Sequence, residues 1–185
     1  MEKIRRELEQ KFENSTLMPY ACGVHWLNLL GQDITPSSIK KHVIDIHKYF
    51  QNHHAPGAWL KECSECVSPQ LPGCTRWGSQ LTCLETFIRN HTSYVKITNE
   101  HYEEMDRNIV AHVRDFNIYE QVKDLIRQLK PVVSALTHLK SDCATVADAC
   151  HVWCELLKPH SPGVKKRFEQ AIVDCHILAY VLHPK

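Results

Sequence analysis

Residues 117–139 read NIYEQVKDLIRQLKPVVSALTHL. Ile118, Val122, Leu125, Ile126, Leu129, Val132, Val133, Leu136 and Leu139 recur at three- and four-residue spacing. That pattern puts one apolar stripe along a helix of about six turns. Pro131 lies inside it, lacks a backbone donor and crowds the preceding turn, which predicts a kink or a break at that point.

The same periodicity extends outward on both sides. Downstream, Val146, Ala149, Cys150, Trp153 and Leu157 form one helical pattern. Val164, Phe168, Ala171, Ile172, Cys175, Leu178, Ala179 and Leu182 form another, starting at Ser161-Pro162. Upstream, Thr98 is placed to cap a helix carrying Met105, Ile109 and Val113, and a further helix begins near Ser79 with Leu81, Leu84, Phe87 and Ile88. Residues 55–75 read as a loop of Pro, Gly and Ser. Thr35-Pro36 reads as a helix start for Ile39, Val43, Ile46 and Phe50. Residues 24–30, VHWLNLL, read as a turn or two of helix stopped by Gly31. Residues 17–21 suit a short edge strand interrupted by Pro19, and 2–14 an amphipathic helix with Ile4, Leu8 and Phe12. The expectation is seven or eight helices and at most one or two strands.

Composition narrows the function classes. Twenty-two Lys and Arg against 21 Asp and Glu leave a formal net charge of +1, so no strongly basic arm or acidic tail is present. No apolar run approaches the length of a membrane span, and MEKIRRELEQKFEN has no apolar signal-peptide core. The expected compartment is nuclear or cytoplasmic, not secreted.

Nine Cys and 13 His are the unusual counts. The odd number of cysteines argues against a secreted disulfide framework. Cys63-x-x-Cys66, followed by Cys74 and Cys83, has the character of a zinc knuckle plus two single thiols. Without a second paired motif, free thiols in an irregular loop are preferred, and no metal or other cofactor is expected. No nucleotide-binding glycine loop, zincin, nucleophile-elbow or kinase signature occurs.

Two local motifs stand out. Cys22-x-x-His25 precedes Leu27-Asn28-Leu29-Leu30. It could be half of a ligand set, although a packed Cys and a backbone-bridging His are the simpler reading. Thr75-Arg76-Trp77-Gly78-Ser79 could stack a base on Trp77 and pair a phosphate with Arg76. A core Trp beside a salt-bridged Arg is the alternative.

YACGVHWLNLL resembles the C-x-x-H-x-L-N-L-L segment of hAT-superfamily transposases, and TRWGS resembles their later T-R-W-N-S motif. Residues 36–52 with His53-His54, and the closing AYVLHPK, are similar to stretches between and after those landmarks. The order and spacing match over nearly the whole chain. The resemblance implies a mostly α chain. Residues 1–34 would be a remnant of an α/β RNase H-like core, with one helix and one or two short strands. Residues 35–185 would be an all-helical insertion domain with an irregular Cys/Pro loop near 55–78. It implies DNA contacts at His25, Arg76 and Trp77. Gly78 stands where the family has Asn, which puts the contact of that Asn in doubt.

The family cleaves DNA with an Asp-Asp-Glu trio that holds divalent metal. By the same alignment none of the three carboxylates falls within 1–185. The chain is therefore expected to be a transposase-derived fragment, catalytically inactive, with weak DNA binding at most. The Lys40/Lys41/Lys48 and Lys165-Lys166-Arg167 groups keep that binding open, although ordinary solvated faces explain them equally. The alternatives are a domesticated helical interaction module, with self-association or a protein partner, and, ranked lower, a zinc-thiolate module.

Overall fold

The computed structural model describes residues 22–73, 77–157 and 162–183. Among them the chain forms nine α-helices and one 3₁₀ turn, and no strand. The helices are α1 (Gly23–Ile34), α2 (Ser37–Asn52), α3 (His54–Glu62), α4 (Trp77–Glu100), α5 (Arg107–Arg114), α6 (Phe116–Leu139), α7 (Val146–Leu157), α8 (Pro162–Ala171) and α9 (Asp174–Leu182). The mostly helical expectation holds. The helix at 2–14 and the strand at 17–21 lie outside the described residues.

The chain divides into two compact units, Leu30–Ser134 and Met1–Leu29 with Ala135–Lys185. In the Leu30–Ser134 unit, α2, α3, α4 and α5 pack on one another. Ile39, Val43, Ile46 and Phe50 of α2 are buried, as are Leu84, Phe87, Tyr94 and Ile97 of α4. Phe50 and Tyr94 stack with ring centroids 4.4 Å apart. In the other unit α7 packs against α8 and α9 around Trp153, which is fully buried.

The long stripe forms a single helix. Ile118, Val122, Leu125, Leu129, Val132 and Leu136 are all buried. Pro131 sits inside α6 and does not break it. Pro131 and Arg127, four residues before it, both face solvent, so the carbonyl that loses its donor is on the watered side.

Five boundaries differ from the expectation, each for a local reason. Gly31 does not stop α1, which continues to Ile34. Thr35 does not cap α2; its hydroxyl donates to the Gly31 carbonyl at 2.7 Å and closes α1 instead. Residues 54–62 are helical rather than loop, with Pro56 in the first turn, where its missing donor costs nothing. Thr98 is interior to α4 and donates to Val95 O. The cap of α5 is Asp106, whose carboxylate accepts from the Asn108 and Ile109 amides.

The last expected helix is two. Val173 is extended between α8 and α9, and its N–H donates to His176 Nδ1 at 3.3 Å. An imidazole at the third helical position thus does what Glu or Gln does in a capping box.

Candidate functional site

The Cys22–His25 motif begins α1. The Cys22 carbonyl accepts from the His25 N–H at 3.0 Å and from the Trp26 N–H at 3.4 Å, so Cys22 closes the first turn through its backbone. Leu27 and Leu30 are fully buried, and His25 is exposed. His25 stands at the lip of a cavity of about 690 Å³ whose walls include Cys22, Trp26, Leu139, Ala149 and His176. Arg167 of α8 lies over the Trp26 ring, 5.7 Å from its centroid. Burial pushes the His176 imidazole below its ordinary range. A neutral Nδ1 is what the Val173 N–H needs as acceptor.

Trp77 is the first residue of α4 and is only 8% exposed. A Cβ placed on Gly31 would come within 2.9 Å of two of its ring carbons. The indole therefore lies flat on bare backbone of α1, and Gly31 makes that approach possible. A side chain at Gly78 would meet nothing within 4 Å, so packing does not demand glycine there. Arg76 lies outside the described residues. His25 and Trp77 belong to different units of the chain.

The cysteine loop follows α3. Cys63 Sγ donates to Trp59 O at 3.5 Å, and the Cys66 N–H to Cys63 O at 3.2 Å. Burial raises the Cys66 thiol, although a bond from Ser93 works against this. Cys83 does not join the pair. It is buried on α4 with its sulfur 3.7 Å from His47 Nδ1, and burial pushes its thiol up to about 12. A zinc ligand must be a thiolate, so Cys83 is poorly suited to that work. Cys74 lies outside the described residues. Among those described, no three His, Cys, Asp or Glu side chains are grouped to hold a metal ion.

What the sequence motifs did not reveal is how the loop is held. His47 is fully buried on α2, and its Nδ1–H donates to Gln70 O at 2.9 Å. That bond fixes the tautomer and leaves Nε2 buried without a partner among the described residues. Burial keeps the ring below its ordinary pKa. One turn on, Gln51 Nε2 donates to Pro69 O at 2.6 Å. From α4, Asn90 accepts from the Val67 N–H at 3.0 Å and donates to Val67 O at 2.7 Å. Three polar side chains on two helices thus pair the backbone of a segment that has no strand partner. The signal was present as polar residues interrupting the apolar faces of α2 and α4.

The basic groups are surface features. Lys41 and Lys48 are exposed on α2, as are Lys165 and Lys166 on α8. No helix of the described residues is long and apolar enough to cross a membrane. Among known proteins, no family model, no curated sequence and no solved structure matches this chain.

Proposed function

We propose that the chain is a non-cleaving helical module of the hAT transposase type that makes weak contact with DNA. The observation that supports this reading most is the C-x-x-H-x-L-N-L-L segment. It folds so that the two leucines of its packed face, Leu27 and Leu30, are buried while His25 is left outward at a cavity lip. The Asp-Asp-Glu trio of the family has no counterpart at matching positions of 1–185, so cleavage is not expected of it.

Trp77 has a narrower role in this reading. Packed on Gly31, its ring would stack on a base only after leaving that contact. Trp77 then serves chiefly to fix the start of α4, next to Arg76 in sequence. The test is anisotropy titration of a labelled DNA hairpin at low and at moderate salt. Binding should be weak and fall with salt, and His25→Ala and Arg76→Ala should each reduce it severalfold with folding unchanged. Trp77→Ala is the poorer probe, because it also removes core packing. No binding at low salt, or indifference to both substitutions, refutes the DNA contact; Mg²⁺-dependent nicking by stringently purified protein refutes the inactivity.

A second reading, a protein-interaction module, is favoured by one observation. Ile177, Leu178, Val181 and Leu182 of α9 are exposed together on one helix face.

A further inference from the structure

Cys63 caps the end of α3, and Cys66 follows three residues later. The Cys66 N–H donates to Cys63 O at 3.2 Å, which closes residues 63–66 into a hydrogen-bonded turn. A turn of that kind holds its first and last Cα atoms within about 7 Å. A disulfide needs a Cα separation of about 4.4–6.8 Å, so the backbone already brings the pair to bonding range. The side chains meet as well. The two thiols are within hydrogen-bonding reach of each other, and Ser93 of α4 bonds Cys66. The turn is anchored at both ends, by α3 before it and by the Asn90–Val67 bonds after it. Cys63 and Cys66 are both half-buried, so neither is sealed from a small reagent. Cys150 and Cys154 of α7 also touch, but Cys150 is buried and its thiol is pushed up to about 11, which makes it inert.

We infer that Cys63 and Cys66 form a redox modification site, a dithiol that a small organic disulfide converts to an intramolecular disulfide and a reducing thiol restores. Cys63 is the attacking residue. It lines a cavity of about 420 Å³ together with Trp59, Glu62, Glu65, Lys96 and Glu100, whereas Cys66 leans on Ser93. The carboxylates there outnumber the Lys96 ammonium, so an uncharged disulfide suits the cavity better than an anionic one.

The exchange proceeds in two steps. The Cys63 thiolate attacks one sulfur of the small disulfide. That S–S bond breaks, a mixed disulfide forms on Cys63, and the first small thiolate leaves and takes up a proton. The Cys66 thiolate then attacks Cys63 Sγ, and the second small thiolate leaves with the proton that Cys66 has lost. Two protein thiols are oxidised to one disulfide, and the small disulfide is reduced to two thiols. Burial holds the Cys66 thiol above its ordinary range, so the second step is the slower one.

The test places the whole reduced chain in buffers of rising hydroxyethyl disulfide to mercaptoethanol ratio. Samples are quenched with acid, alkylated and mapped by peptide mass spectrometry with fragmentation. The exposed Cys22 and Cys143 serve as internal references. The Cys63–Cys66 bridge should appear at a lower ratio than mixed disulfides on either reference, and excess dithiothreitol should reverse it. At the ratio that modifies Cys22, Cys66→Ser should carry a mixed disulfide on Cys63. In Cys63→Ser, Cys66 should react several times more slowly than Cys22. Helix content by circular dichroism should be unchanged in both variants, because neither position is inside a helix. If a variant loses helix content, the bridge mapped in wild type decides alone. Modified Cys22 and Cys143 beside an alkylated, unbridged Cys63 and Cys66 overturn the inference. A bridge from Cys63 or Cys66 to any other cysteine, formed in preference, overturns it as well.

Discussion

Asn90→Ala should be among the most damaging single substitutions in the Leu30–Ser134 unit. Asn90 is fully buried, and its amide makes three hydrogen bonds. Two of them close a ring with Val67, and the third runs from Nδ2 to the Tyr94 hydroxyl at 3.3 Å. Truncation removes all three and leaves a half-buried amide and carbonyl at Val67 without partners. At about 1 kcal/mol net for each neutral bond, with an added desolvation cost for whichever Val67 group water cannot reach, the loss comes to about 3–4 kcal/mol. Few small units hold more than about 5–15 kcal/mol in all, so the effect is large. Urea unfolding followed by circular dichroism gives the equilibrium loss, and hydrogen exchange at Val67 reports the local one. Asn90→Asp is the control. It keeps the acceptor for the Val67 N–H, loses both donated bonds and buries a charge, so it should not rescue. A loss below about 0.5 kcal/mol, with the Val67 amide as protected as before, would refute the claim that side chains rather than backbone pairing hold this loop.

Gly31→Ala tests the seat of Trp77. The Cβ gains about 1 kcal/mol in helix propensity but enters within 2.9 Å of a buried ring, and overpacking of that kind costs about 1–3 kcal/mol. A net loss of about 1 kcal/mol with a changed tryptophan emission is expected; a gain in melting temperature with unchanged emission contradicts the packing. Acidification tests the buried imidazoles. His47, His91 and His176 all have folded pKa values below 6.5 because burial disfavours the charged ring. Below about pH 6.5 the unfolded chain then binds more protons than the folded one. Stability should be level above that pH and fall below it, by up to about 1.4 kcal/mol per pH unit for each histidine until its folded pKa is passed. Thermal melts between about pH 7 and 5 that stay flat, or rise, would show that these rings are not held neutral.

The helices that the sequence made most legible are those whose apolar face is uninterrupted. In α6 every third or fourth residue is apolar for six turns, and tertiary packing uses that face as written. The poorly read boundaries share a different trait. At Gly31, Thr35 and Thr98 a residue with a strong local preference is overruled. Gly31 is kept for an indole lying on it, and both hydroxyls donate backward to carbonyls instead of capping forward. The break at Val173 left no trace in the apolar spacing because Ile172 and His176 are buried on either side of it. His25 could be picked out by its motif, and it is exposed at the start of α1. Trp77 could be picked out too, but spacing carries no information on whether an indole faces a ligand or a glycine.

Several of the histidines and cysteines serve as fastenings in the fold. His47 holds Gln70, His91 Nε2 lies 3.1 Å from Val113 O, His176 caps α9, and His101 stacks on Trp59 at 3.7 Å while bonding Glu104. His47 and His176 pair irregular backbone at Gln70 and Val173, His91 pairs the last turn of α5, and His101 packs on a neighbouring ring. Neutral imidazole suits this work because it is flat enough to pack like an aromatic and still has one donor and one acceptor. Buried Cys83 and half-buried Cys175 fill space beside two of these rings, His47 and His176. In a helical unit with loops to secure and no sheet to secure them, such side chains supply the pairing that strands otherwise give. The consequence is directional: adding zinc should not raise the melting temperature of this fold, whereas acid should lower it.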